Sequence, residues 1–576
     1  MRNKLALIGI ASLASLTTAQ TTIDGDAAGA RLGEHFAVIP DVNGDSVNDL
    51  IAGFPDDDTN GVDAGRAIVI SGADGTTLRT HYGDQAGDRF GEVVAPGGQL
   101  DGDSVGDYLV GAPEWGPSKG AVYTFSGTNG DMLLFMRGFN DGDRLGTSAA
   151  RAGDVDGDGT GDVIVGAPGY DSPGSGFVDA GVIYAVSGAT GLPLHTLESP
   201  AQFNRTGLEF GQFVSHLGDV NGDGHDDLLA SGPNLDADTY VSNYAIFSGL
   251  DGSQLASRVG GSDGHGFYLH VGNGLCALGD VTGDGVPDYV AGESAWMSLF
   301  YDYTEGYVLV VHDGATNSFH NVYSFTSSSL NDDIVAGVVH YVDPIAVGDV
   351  NGDGLGDVAY LSPEQELVRV VSGADFNVLG IIHAPTTGLG FGTTIQGVDD
   401  VTGDGLRDLA IGIPGHDGAA GTDSGQIIFT SGITCVPPDW YYCTPEINSS
   451  GNRAYMNWSG TPSVSANDLI LMATGCPPNK VGLFFYGPNQ TDTPVGDGRL
   501  CVGSGGLGLF RVSPLALSNA SGDASTPLDL TSLPASSGDG QILPGSTWHF
   551  QFWFRDPEGG PAGFNFSNGL AVDFCP

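Results

Sequence analysis

Apolar residues run along this chain in short blocks, not in long stripes. Seven blocks share one form: DLIAG from Asp49, DYLVGAP from Asp107, DVIVGAP from Asp162, DLLASGP from Asp227, DYVAGES from Asp288, DVAYLSP from Asp357 and DLAIGIP from Asp408. Each is too short for an ordinary helix and is bounded by turn-forming residues, so each predicts a β-strand. Flanking runs such as GRAIVISGADGTTLRTHYG, from Gly65, bring the count to about four strands per unit. A radial array of small sheets accommodates such units and leaves only short free edges.

The grammar changes after about residue 432. In STWHFQFWFRDP, Trp548, Phe550, Phe552 and Phe554 alternate with His549, Gln551 and Trp553, which predicts a strand buried on one side. KVGLFFYG, GLGLFRV and GLAVDFC read similarly, so a small β-sandwich-like domain is expected over 433–576. Exposed aromatics there, such as Tyr441 or Trp458, could touch sugar, but packing is the expected use.

Each of the seven blocks is preceded by an acidic, glycine-rich loop. The loops start at Asp41, Gln99, Asp154, Asp219, Asp280, Asp349 and Asp400, and they fit one nine-residue frame. Position 4 is always glycine, as a turn demands whose backbone conformation a side chain would obstruct. Positions 1, 3, 5 and 9 offer side-chain oxygens and position 7 a carbonyl. The expected ligands are Asp41, Asn43, Asp45, Val47 and Asp49 in loop 1, and Asp101, Asp103, Val105 and Asp107 in loop 2. Loop 3 has Asp154, Asp156, Asp158, Thr160 and Asp162, and loop 4 has Asp219, Asn221, Asp223, His225 and Asp227. Loop 5 contributes Asp280, Asp284, Val286 and Asp288, and loop 6 Asp349, Asn351, Asp353, Leu355 and Asp357. Loop 7 contributes Asp400, Asp404, Leu406 and Asp408.

Alternating oxygens on a tight loop suit a hard cation such as Ca²⁺. Without one, close carboxylates repel by about 1 to 4 kcal/mol per pair at effective dielectrics of 80 to 20. Up to seven calcium sites are therefore expected. Loop 3, with four carboxylates, should bind most tightly. Loop 2, which starts with Gln99, and loops 5 and 7, with Thr282 and Thr402 at position 3, should be weaker. An EF-hand is excluded, because position 12 is never acidic and a strand, not a helix, follows.

These residues resemble a known family, the FG-GAP repeats of integrin α-subunit propellers and their bacterial relatives. Phe90-Gly91 and Phe210-Gly211 precede loops, and Gly111-Ala112-Pro113 and Gly166-Ala167-Pro168 follow them. The resemblance covers about residues 20–432. It implies an all-β fold, a seven-bladed β-propeller with calcium between the first two strands of each blade. Closure is also legible: after the seventh unit's third strand, GQIIFTSG, no fourth strand follows, so the N-terminal QTTIDGDAAG is expected to supply it.

The first twenty residues carry Arg2 and Lys4, an apolar run and small residues to Ala19, and read as a secretory signal peptide over 1–19. No later apolar run approaches the ~20 residues of a membrane span. A net charge of −51 argues against nucleic acid and bare anionic membranes as partners. GDSVG at 102–106 mimics a serine-hydrolase elbow, but it lies inside loop 2 with no helix to follow, so Ser104 is not expected to be a nucleophile. The histidines have no zinc spacing. Six N-x-S/T triplets begin at Asn204, Asn448, Asn457, Asn489, Asn519 and Asn565.

Cys276 is expected to be a free packed thiol. Of the other five cysteines, all after residue 432, Cys476 and Cys501 are the pair favoured. The function expected is extracellular or cell-surface recognition or adhesion, with a protein or polysaccharide as ligand. The alternatives are a structural matrix component or, with no catalytic constellation in support, an extracellular hydrolase.

Overall fold

The computed structural model describes residues 22–575 except 175, 201–205, 233–242, 260, 263–267, 300–301, 327–343, 363–365, 376, 403–405, 432–439, 465 and 544–545. The leader, Asn204, Asp404 and Cys435 lie outside the described residues.

Seven antiparallel sheets follow one another along the chain, six of four strands and one, over 261–326, with a short fifth. Blade 1 pairs His35–Ile39, Asp49–Phe54, Arg66–Ile70 and Thr77–Tyr82 in that order. Blades 2, 3, 4 and 6 repeat the order within 93–137, 148–198, 213–259 and 345–383. The first strands of successive blades touch in a closed cycle, with the seventh returning to the first. The chain is thus a seven-bladed β-propeller.

In blade 7 the outermost strand is Thr22–Asp24, laid antiparallel on Gln426–Ser431 with Ile23 opposite Ile427. Ile23 is buried in the seam between blades 7 and 1. The segment that follows is stitched to the same blade, with Gly25 N–H donating to the Gly425 carbonyl and Leu32 N–H to that of Ser424. Arg66 of blade 1 pairs with Asp26 at 2.7 Å.

The second strands Asp49–Phe54, Asp107–Ala112, Asp162–Ala167, Asp227–Gly232 and Asp408–Ile413 are buried at every position. Sandwiched between neighbouring blades, they have no wet face, which is why their sequences run apolar without alternation. Outer strands such as Thr77–Tyr82 are half exposed and mix polar with apolar residues. The apolar clusters lie in the seams: Ile39, Ile51 and Val69 of blade 1 pack against Phe90, Tyr108 and Tyr123 of blade 2.

After the propeller, Trp440–Tyr442, Gly569–Asp573, Thr547–Arg555, Val481–Gly487 and Phe510–Arg511 form one sheet. Tyr455–Ser459, Ile470–Thr474 and Ala524–Pro527 form a second. Trp548, Phe550, Phe552 and Phe554 meet Met456, Leu471 and Ala473 of that second sheet in one apolar cluster. The face of 547–555 opposite that cluster is covered as well. Hairpin 489–503 covers it, and Gln551 is fully buried. The Gln551 amide donates to the carbonyls of Arg499 and Ser567 and accepts the Cys501 N–H, which is how a polar residue tolerates that burial. Trp458 packs against the apolar cluster, and Tyr441 is exposed.

The cysteine pairing also differs from expectation. Cys501 is joined to Cys443, and Cys476 is a free thiol. Cys476 points into the cluster between the sheets, whereas Cys501 sits on the covering hairpin at the opposite face of the main sheet. Cys575 is also disulfide-bonded. Cys276 is free and packs beside Val281 and Val290, and burial pushes its thiol up to about 12. Asn448 and Asn565 are buried, so those two N-x-S triplets cannot be modified without local unfolding.

Candidate metal centre

Every acidic loop joins the first strand of a blade to the second, and its last aspartate opens the second strand. At position 4, Gly44, Gly102, Gly222 and Gly283 have φ between +74° and +85°, and a Cβ there would meet nothing within 4 Å. Glycine is required by the dihedral and not by crowding. Position 6 is also left-handed, even where it is Ser46 (φ 70°) or Ser104 (φ 75°). After Ser104 comes the strand Asp107–Ala112, so no nucleophile elbow exists there.

Hydrogen bonds lock the loop in a repeating pattern. The position-1 carboxylate accepts N–H groups from further round the turn: Asp219 takes those of Gly222, Asp223 and Gly224 at 2.7, 3.1 and 2.8 Å. Asp41, Asp280 and Asp349 do the same, and Gln99 stands in by accepting the Ser104 N–H. At position 5 the carboxylate accepts the N–H of position 7, which fixes Val47, Val105, Thr160, His225, Val286 and Leu355. The His225 ring turns to the neighbouring loop, with Nδ1 2.8 Å from the Val155 carbonyl.

Sequence reasoning missed a second role for position 9. Asp49, Asp107, Asp162, Asp227, Asp288 and Asp357 are fully buried. One oxygen accepts the N–H of position 2 in the same loop. The other accepts the N–H of a glycine in the turn between the third and fourth strands. For Asp162 these donors are Val155 at 2.8 Å and Gly188 at 2.9 Å, and for Asp227 they are Val220 at 2.9 Å and Gly249 at 3.0 Å. A Cβ on Gly188 would lie 1.9 Å from the Gly161 carbonyl oxygen, so the turn must be glycine to reach the bolt. The signal was present in the sequence as Ser-Gly after the third strand, at Gly72, Gly127, Gly188, Gly249 and Gly373.

Burial and the neighbouring acids disfavour the ionised form of this bolt. Burial first, and then the charges of Asp353 and Asp349, push Asp357 up to about 7 against the pull of its two N–H donors. Asp162 and Asp227 rise to about 6 for the same leading reason. In contrast, the N–H of Gly285 leads a group of backbone donors that hold Asp280 below the usual carboxylate range.

Among the described residues, two loops bring three carboxylates together with their oxygens within 4.8 Å of one another: Asp101, Asp103 and Asp107 in loop 2, and Asp154, Asp156 and Asp162 in loop 3. Loop 2 therefore gathers as many acids as loop 3 despite Gln99, and Asp158 is not one of loop 3's converging three. In loops 1, 4 and 6 an asparagine at position 3 accepts the N–H of position 5. In loop 5 the Asp284 N–H goes to Asp280 and not to Thr282, and in loop 7 the Thr402 hydroxyl donates to Asp408 at 2.9 Å.

The loops also lean on one another around the ring. Asn48 of loop 1 donates to Asp399 beside loop 7 at 2.7 Å, Gly161 of loop 3 donates to Gln99 of loop 2, and Asp226 of loop 4 accepts the Asp154 N–H.

Residues 146–186, which contain all of loop 3, match the family model of the FG-GAP repeat. Over 162 residues the chain is 31% identical to integrin alpha-4 of Xenopus laevis, covering 26% of this chain and 16% of that subunit. Over 243 residues it is 30% identical to integrin alpha pat-2 of Caenorhabditis elegans, covering 38% of this chain and 19% of that subunit. The chain therefore spans only a small part of the length of these relatives. Among solved structures, the Dos1 propeller aligns at a TM-score of 0.37 and 11% identity over 68% of this chain and 77% of that one. The blade count rests on the strand pairing described above.

Proposed function

With an FG-GAP β-propeller as the premise, we propose that this chain is a secreted, calcium-binding, non-catalytic module for extracellular recognition or adhesion, with a protein or polysaccharide ligand. Convergence of Asp154, Asp156 and Asp162 is the observation that carries it. These acids pair with no Lys or Arg among the described residues, so a cation is the counter-charge their chemistry calls for. Calcium supplies charge neutralisation when bound. The chain's own residues supply the oxygens of positions 1, 3, 5 and 9 and, at position 7, a carbonyl.

Likeness to integrin α subunits supports a surface or extracellular setting and a binding role rather than a catalytic one. No helix among the described residues is long and apolar enough to cross a membrane. Because neighbouring loops touch, ion binding would stiffen one whole face of the ring and present the rest as a rigid surface. The test is to immobilise the full chain and pass extracellular material from its source over it, with calcium and with chelator. Calcium-dependent retention of a selective component is the expected result. Retention of nothing, or of the same material under chelator, would overturn the reading.

A further inference from the structure

Resting on that recognition reading, we infer that the outer rim between blades 1 and 2 is a binding cleft for a neutral oligosaccharide. A cleft of about 520 Å³ opens there, walled by Tyr82 and Phe135 and floored by Tyr123 and Phe125, with His81 and Asp84 at its side. The volume is that of an ordinary small-ligand site. Tyr82 and Phe135 lie on the outer strands of the two blades and are 44% and 42% exposed. His81 is stacked on Phe125 with ring centroids 4.0 Å apart, and Phe135 sits 4.9 Å from Tyr123, so the rings brace one another.

Phe135 also walls a second cleft of about 190 Å³ with Phe139 and Tyr184 over the seam to blade 3, and Phe139 is 69% exposed. Two aromatic-sided clefts that share one ring suit a chain of repeating units better than a single small molecule.

The polar groups narrow the occupant. Neither the Asp84 carboxylate nor the Tyr123 hydroxyl has a hydrogen-bond partner among the described residues, although both face the cleft. Burial, and then the charges of Asp84 and Asp88, keep that hydroxyl protonated and able to donate. A wholly apolar partner would cover both groups and leave them unpaired. An anionic ligand would meet Asp84 in the first cleft and a chain of net charge −51, with Arg137 in the second cleft the one Lys or Arg among the residues lining the two. A neutral sugar avoids both penalties, because its C–H faces lie on the rings while its hydroxyls pair with Asp84 and Tyr123.

The test is affinity electrophoresis of the full chain in gels containing laminarin, galactomannan or xylan, with alginate as the anionic comparison. Retardation by at least one neutral polymer and none by alginate is expected. Tyr82→Ala or Phe135→Ala should weaken it by roughly tenfold or more, the equivalent of losing one well-stacked ring. Phe135→Trp, which keeps a stacking face, should retain it, and calcium binding should be unchanged in every variant. No retardation by a neutral polymer, retardation by alginate alone, or indifference to both ring variants would overturn the inference. Calcium-dependent retention of a protein without any sugar binding would sink the cleft assignment and leave the recognition reading standing. Loss of calcium dependence would sink the recognition reading whatever the gels show.

Discussion

Replacing Asp162 by alanine separates two jobs that position 9 combines. Its buried carboxylate accepts N–H groups from Val155 at 2.8 Å, Gly188 at 2.9 Å and Asp156 at 3.3 Å. Truncation strands the first two in a dry seam, at about 1–3 kcal/mol each, so roughly 2–6 kcal/mol of local stability should go even with chelator present. The pH dependence has a definite sign. Burial raises the Asp162 pKa from 3.8 to about 6 in the folded chain, so the wild-type group contributes most below the lower value and loses that contribution as pH rises through the upper one. Under chelator the gap between wild type and Asp162→Ala should therefore be widest in acid and narrow by pH 7, and calcium should widen it again at neutral pH. Asp158→Ala is the contrast. Its carboxylate accepts the Thr160 N–H in an exposed loop, so its effect should be small under chelator and appear only with calcium. Thermal denaturation gives the global effect, and amide exchange of peptides containing Val155 and Gly188 gives the local one. Unchanged exchange at both amides in chelator-treated Asp162→Ala would refute the bolt.

Further expectations can be checked separately. Ile23→Ala should destabilise by about 2–5 kcal/mol through the cavity left in the blade 7–1 seam, read as earlier melting and faster exchange over 426–431. Unchanged exchange there would count against closure by the N-terminal strand. Gly188→Ala should fail to fold stably or melt far earlier than wild type, because its Cβ has 1.9 Å of room. Peptide mapping without reduction should recover a Cys443–Cys501 pair, and Cys443→Ser should lower stability by about 2–5 kcal/mol; a Cys476–Cys501 peptide would contradict the pairing. Calcium affinity should fall as pH drops from 7 to 5, with proton release on binding at pH 6, because Asp357, Asp162 and Asp227 must ionise between about 6 and 7 to act as ligands.

Repeat spacing made the blades legible, since a four-strand unit cannot bury its faces alone and seven copies at near-even intervals require a ring. Closure was legible because one unit lacked an outer strand. The loops announced their oxygens, but not that the position-9 aspartate is first a clamp between two turns of its own blade, because its partner glycine lies about 25 residues away in sequence and offers only a backbone N–H. Alternation in 547–555 suggested a wet face. Gln551 looked like a surface residue because sequence cannot show three hydrogen-bond partners waiting in the interior. The disulfide was misread for a related reason: Cys476 and Cys501 are near in sequence but lie on opposite faces of one sheet.

The most direct test of the central claim is calorimetric titration of calcium into the chelator-stripped full chain, with melting followed in parallel. Saturable binding at more than one site and a higher melting temperature are expected, since calcium at 100 times its Kd adds about 2.7 kcal/mol per independent site. Absence of binding heat together with an unmoved melting temperature would contradict it.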